Sequence, residues 1–139
     1  MTNQELIQKA ASIINSKIIN DFLVGDVGCA LLTDKDNLYL GTCIDTGSSM
    51  GFCAEHNAIG SMITAGEYKI KKIVAVWKNE ADEIHVITPC GRCREFMNQI
   101  SEDSQDIDVI MDVNKIVKLS ELLPHNDWWK KIEPKKTSF

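Results

Sequence analysis

No apolar run in this chain approaches the roughly 20 residues that a membrane-spanning helix needs. The opening residues Met1 to Glu5 carry an acid and no basic-then-apolar pattern, so no signal peptide is expected either. Basic charge is also in short supply: 15 Lys and Arg stand against 20 Asp and Glu, a net charge of −5. That balance argues against a partner held by a general basic surface, and no basic–aromatic track is present to follow a polynucleotide strand. Internal repeats and low-complexity tracts are missing. The cysteines number five, an odd count with a Cys90-x-x-Cys93 pair in it. Such usage points to metal or redox chemistry in a cytoplasmic chain rather than to a disulfide framework.

What is present is ordinary globular composition. With 44% hydrophobic and 25% charged residues over 139 positions, the sequence predicts a single domain spanning 1–139 with a proper core. Apolar residues at Leu6, Ile7, Ala10, Ile13 and Ile14 follow helical spacing and predict a first helix from Asn3 to Ile19. Val27 to Leu32 and Leu38 to Ile44 read as a hairpin around the Asp34–Asn37 turn. Ala54 to Thr64 reads as a helix, Ile70 to Trp77 and Ile84 to Thr88 as strands, and Cys90 to Ile100 as a helix opened by Pro89. Asp108 to Met111 gives a last strand and Leu119 to Leu123 a short helix. Alternation of this kind predicts an α/β fold, a mixed sheet with helices on its faces.

Chemistry concentrates in Cys53-Ala54-Glu55 and Pro89-Cys90-Gly91-Arg92-Cys93-Arg94. Cys90 and Cys93 can reach one metal from the first turn of a helix, and Cys53 can join them from the start of another. Three thiolates around zinc leave a fourth position for water, the catalytic rather than the structural pattern. Helix starts also favour thiolates, because the positive end of the dipole lowers cysteine pKa. Glu55 would move protons between water, a ring nitrogen and a departing amine. His56, Arg92 and Arg94 are the nearby donors that could offset the thiolate charge. Simpler readings stand beside these. Cys-x-x-Cys alone suits a structural zinc half-site or a redox pair, and an acid at Glu55 suits any helix start. His85 reads as a surface or core histidine, while Cys29 and Cys43 read as small apolar residues. The Gly47–Gly51 loop lacks the Gly-Lys-Ser/Thr that a phosphate loop needs.

Together these motifs resemble the cytidine deaminase superfamily, over nearly the whole chain from Val27 to Arg94; the pattern is one already described for zinc nucleobase deaminases. The resemblance implies a three-layer α/β/α fold with a five-stranded mixed sheet, one zinc per chain and a homotetramer with active sites near subunit interfaces. It implies Cys53, Cys90 and Cys93 as ligands, Glu55 as proton shuttle, and a small-molecule cytosine nucleoside as substrate. The chain departs from the family at the ribose-holding Asn-x-Glu, whose positions counted back from Cys53 are Thr42 and Ile44; a gap would bring in Asp45. His56 stands where many members have an arginine. The blasticidin S deaminases are similar in the Cys-Gly-Arg-Cys-Arg form, in Glu121-Leu122-Leu123-Pro124 and in a tryptophan aligned with Trp129. In that group the C-terminal segment helps close the pocket over an aminoacyl-linked cytosine nucleoside. Thr42, Asp45 and Trp129 are thus the candidate substrate contacts. A zinc-stabilised binding module without catalysis remains the reading of a different class.

Overall fold

A computed structural model of the chain describes residues 1–127 together with Ile132. Helix α1 (Asn3–Ser12) starts in a capping box: the Glu5 N–H donates to the Thr2 hydroxyl, and the Thr2 N–H donates to the Glu5 carboxylate. It is followed by β1 (Lys17–Ile19), β2 (Phe22–Thr33), β3 (Leu38–Ile44), α2 (Ala54–Thr64), β4 (Ile70–Lys78), β5 (Ile84–Ile87) and α3 (Gly91–Ile100). A single 3-10 turn (Ser104–Asp106), β6 (Asp108–Asp112), β7 (Lys115–Lys118) and α4 (Leu119–Leu122) complete the described elements.

Long β2 is the spine of the sheet. It pairs antiparallel with β3 along one edge and with β4 along the other. Strand β4 carries β5 antiparallel and β6 parallel, and β6 carries β7 antiparallel. The sheet is therefore mixed, as expected, but it has seven strands rather than five. The two additions are β1 and β7. The first helix ends at Ser12, short of Ile19, because Asn20 and Asp21 take left-handed φ values of 50° and 70° and turn β1 back onto β2. A two-residue turn of this kind suits a twisted hairpin. Lys115–Lys118 is too short and too exposed to stand out by pattern, and β6 organises it.

Residues alternate between the faces of the sheet and divide the core in two. Ala30, Val74, Val76 and Ile110 meet Leu6, Ile7 and Ala10 of α1 on one face. Cys29, Leu31, Cys43 and Ile73 meet Ala54, Ala58, Ile59 and Met62 of α2, with Cys93 and Met97 of α3, on the other. The result is the three-layer α/β/α arrangement. Gly41 sets how close α2 comes to β3: a Cβ there would lie 2.3 Å from the Ala58 nitrogen and 2.8 Å from the Ala54 carbonyl oxygen. Glycine thus lets the start of α2 rest against the sheet. No helix among the described residues is long and apolar enough to cross a membrane.

Candidate metal centre and reaction chamber

Two helix starts converge on one end of the second core layer. Cys53 is the N-cap of α2 and Cys90 the N-cap of α3, both in extended backbone conformation and neither thiol spent on a cap bond. Cys93 follows in the first turn of α3. The three Sγ atoms lie within 4.8 Å of one another, and Cys90 Sγ is 3.6 Å from Cys93 Sγ. That separation is far beyond a disulfide bond and close to the edge of a sulfur tetrahedron, about 3.8 Å for metal–sulfur bonds of about 2.3 Å. The donor set therefore fits zinc. Burial is graded, with Cys90 exposed, Cys53 half-buried and Cys93 1% exposed.

Charge at the sulfurs follows position. Burial pushes the Cys53 and Cys93 thiols up, reinforced at Cys93 by the Glu55 charge. Burial also acts on Cys90, but the backbone N–H groups of Cys93 and Arg92 and the Cys93 side chain outweigh it, so this thiol falls below its ordinary value. The helix start thus eases proton loss from the exposed sulfur, and a dication would favour the thiolate at all three. His56 stacks flat on Phe96, with ring centroids 4.2 Å apart at 9°, and its Nδ1 lies 3.6 Å from Cys93 Sγ. With the proton on Nδ1 it donates to that sulfur. Burial, then the nearby Arg92 charge, holds the imidazole below its usual pKa.

Glu55, one residue into α2, is 6% exposed. Burial raises its carboxyl above the usual carboxylate range, an effect moderated by its own backbone N–H and by the Cys93 side chain. It lines a chamber of about 190 Å³ with Cys53, Cys90, Val27, Ile87, Thr88 and Asp45. Asp45 and Cys53 also border an outer chamber of about 230 Å³, walled by Thr46, Ser49, Phe52 and Arg92. An apolar groove of about 630 Å³ lies beyond, lined by Ile13, Ile19, Phe22, Val24, Thr42 and Ile44.

The sequence-derived candidates separate accordingly. Cys53, Cys90, Glu55 and Asp45 line one chamber, and the buried Cys93 joins the two cysteines through its sulfur. Thr42 lines the groove instead, and its carbonyl accepts a bond from Asn57 Nδ2. Arg92 borders the outer chamber. Arg94 gives its donors to carbonyls, Nε to Pro89 at 2.8 Å and Nη1 to Leu122 at 3.0 Å. Trp129 lies outside the described residues. Cys29 is fully buried, as an apolar residue would be, but Cys43 is more than packing. Its thiol donates to Asp26 Oδ1 at 2.8 Å, and burial followed by that carboxylate pushes it up to about 11. Asp26, Cys43 and Asp45 place their ligand atoms within 4.8 Å of one another. Asp26 escaped sequence reasoning because the β2–β3 register shifts between Val24 and Gly28, and no pattern in the sequence marks that irregularity.

Known proteins are similar to this chain in sequence and in fold. The family described as the cytidine and deoxycytidylate deaminase zinc-binding region matches residues 1–106. A blasticidin-S deaminase of Bacillus cereus is 42% identical over 79 residues, covering 52% of this chain and 54% of that protein. The match thus spans about half the length of that relative. A cytidine deaminase of Mycoplasma genitalium is 29% identical over 102 residues, covering 71% of this chain and 74% of its own. Among solved structures, the cytidine deaminase of Burkholderia pseudomallei superposes with a TM-score of 0.70 at 25% identity, over 90% of this chain and 98% of that one. The enzyme of Mycobacterium tuberculosis gives 0.71 at 20% identity over 91% and 97%, a likeness of fold.

Proposed function

Because the chain belongs to the cytidine and deoxycytidylate deaminase zinc-binding family, we propose that it converts the amino group of a free cytosine nucleoside, or of a blasticidin S-like nucleoside antibiotic, to a carbonyl and releases ammonia. The observation that carries this reading is the buried Glu55 carboxyl on the wall of a chamber that also exposes Cys53 and Cys90. A structural zinc site has no use for such a group.

Cys53, Cys90 and Cys93 would hold one zinc. When bound, the metal supplies the Lewis acidity that makes water nucleophilic near neutral pH. The rest falls to the chain. Val27, Ile87 and Thr88 form an apolar slot with one hydroxyl, suited to a flat pyrimidine ring. The Glu55 carboxylate would take one proton from the attacking water and pass it to the ring nitrogen. It would then take the second from the added hydroxyl as the carbonyl forms and deliver it to the leaving amine, which departs as ammonia. Its raised pKa favours that exchange. His56 donates to Cys93 and disperses ligand charge, the part an arginine plays in many members of the family.

Asp45 stands between the two chambers, where a substituent on the ring would pass outward. Its carboxylate is placed to accept from a sugar hydroxyl or from an ammonium group. Asp45→Ala is expected to raise KM by about 10- to 100-fold with kcat nearly unchanged, since a hydrogen bond to a charged group contributes about 1.5–3 kcal/mol. An unchanged KM would remove Asp45 from the substrate site. The function itself is tested by ammonia release from cytidine, deoxycytidine and blasticidin S, side by side, using zinc-loaded chain. Turnover of blasticidin S alone would mark a detoxifying enzyme, and turnover of cytidine a salvage enzyme. Silence on all three with zinc bound would overturn the proposal.

Homotetramer formation belongs to the same reading. The β1–β2 hairpin exposes apolar side chains on both faces, Ile18 with Leu23 on one and Ile19 with Phe22 on the other, a projection suited to a second copy. Light scattering should give about four times the chain mass, and a monomer would refute this part.

A further inference from the structure

We propose that Arg94 is a positioning residue: a strut through which the C-terminal segment fixes the turn that carries Cys90. The inference rests on the reading of Cys90 and Cys93 as metal ligands. Arg94 follows Cys93 in the first turn of α3, and its guanidinium reaches out of the helix in two directions. Nε donates to the Pro89 carbonyl, one residue before Cys90, at 2.8 Å. Nη1 donates to the Leu122 carbonyl, at the end of α4, at 3.0 Å. Among the described residues no carboxylate pairs with it. Its donors therefore join two backbone segments that are remote in sequence, rather than neutralising a side chain.

Both carbonyls suit the role. Pro89 lies just outside α3, so its carbonyl has no partner in that helix. Leu122 ends a helix of four residues, where carbonyls point outward and a cation is favoured. One turn further along α3, Asn98 Nδ2 donates to the Asn126 carbonyl at 3.4 Å. Asn126 Nδ2 in turn donates to Gln105 Oε1 at 2.6 Å and to the Leu123 carbonyl at 2.9 Å. Segment 122–126 is thus fastened to α3 at two levels, and the upper fastening is the one that touches the ligand turn. A planar fork can hold two carbonyls at fixed directions at once; an ammonium on a flexible stem cannot. Loss of groups that orient ligands in this way typically weakens metal binding roughly 10- to 100-fold.

The test uses the full chain loaded with Co²⁺ or Zn²⁺. Sulfur-to-cobalt charge transfer in the wild type establishes the thiolate site independently; its absence would refute the ligand reading and not the strut alone. Given that band, Arg94→Ala should weaken zinc about 10- to 100-fold in chelator competition and alter the cobalt d–d spectrum. Arg94→Lys should recover only part of the affinity. Unchanged affinity and spectrum in Arg94→Ala would overturn the proposal, as would full recovery by lysine, which would assign the effect to charge. Asn126→Ala loosens the same segment without touching Arg94 or a cysteine. It decides the matter if Arg94→Ala fails to fold: an altered cobalt spectrum supports the strut, and an unaltered one refutes it.

Discussion

Glu55→Gln should purify with its zinc and release ammonia roughly 10²- to 10⁴-fold more slowly than the wild type, the range expected for loss of a general acid–base group. The substitution keeps the shape of a side chain that is 6% exposed, so packing in the chamber should hold. It removes the ability to carry a proton, which the reaction needs at least twice, once at the ring nitrogen and once at the leaving amine. The simpler view of Glu55, an acid that suits the positive end of α2, predicts something else. Helix-dipole effects contribute about 0.3–1 kcal/mol, so Gln would then lower stability slightly and leave turnover alone. Measuring zinc content, Tm and kcat on one preparation separates the two. A variant within tenfold of wild-type kcat, with zinc retained, would end the proton-shuttle assignment.

The sequence carried the parts of this site that depend on local rules. Helix α2 runs from Ala54 to Thr64, the span read from its apolar spacing, and α3 starts just after Cys90 as Pro89 suggests. A cysteine at a helix start is a local feature, and so is Glu55 two positions later. The pieces that stayed hidden depend on pairing across distance. Asp26 enters the chamber region through an irregular register between β2 and β3, and Cys43 looks apolar until that carboxylate is brought to it. Counting residues put Thr42 in line with the ribose clamp of the family. The fold sends Thr42 of β3 to the groove, and Asp45, the first residue after that strand, lines the chamber. Arg94 sits beside Cys93 in sequence and so reads as a charge partner. Only the fold shows that its donors run to Pro89 and Leu122, the second 28 positions away.

Replacing Cys93 by serine should have the largest effect on the protein itself. Cys93 is the most buried of the three sulfurs, and its thiol is pushed well above the ordinary range by burial and by the Glu55 charge. Without a metal the site must keep that proton; with zinc bound, proton release and metal binding become part of folding stability. A ligand present at a thousandfold above its Kd contributes about 4 kcal/mol to the folded state. For a domain of this size, loss of that contribution corresponds to a fall in Tm of roughly 10–15 °C. Cys93→Ser is therefore expected to purify with little zinc, to melt early, and to ignore a chelator that lowers the wild-type Tm by a similar amount. Cys43→Ser is the matched control. A hydroxyl can still donate to Asp26, so zinc content and chelator response should stay as in the wild type. The two variants also discriminate between the clusters that could hold a metal, since Cys53, Cys90 and Cys93 form one and Asp26, Cys43 and Asp45 the other. Full zinc in Cys93→Ser with loss in Cys43→Ser would move the metal to the second cluster and leave Glu55 without its partner in the reaction.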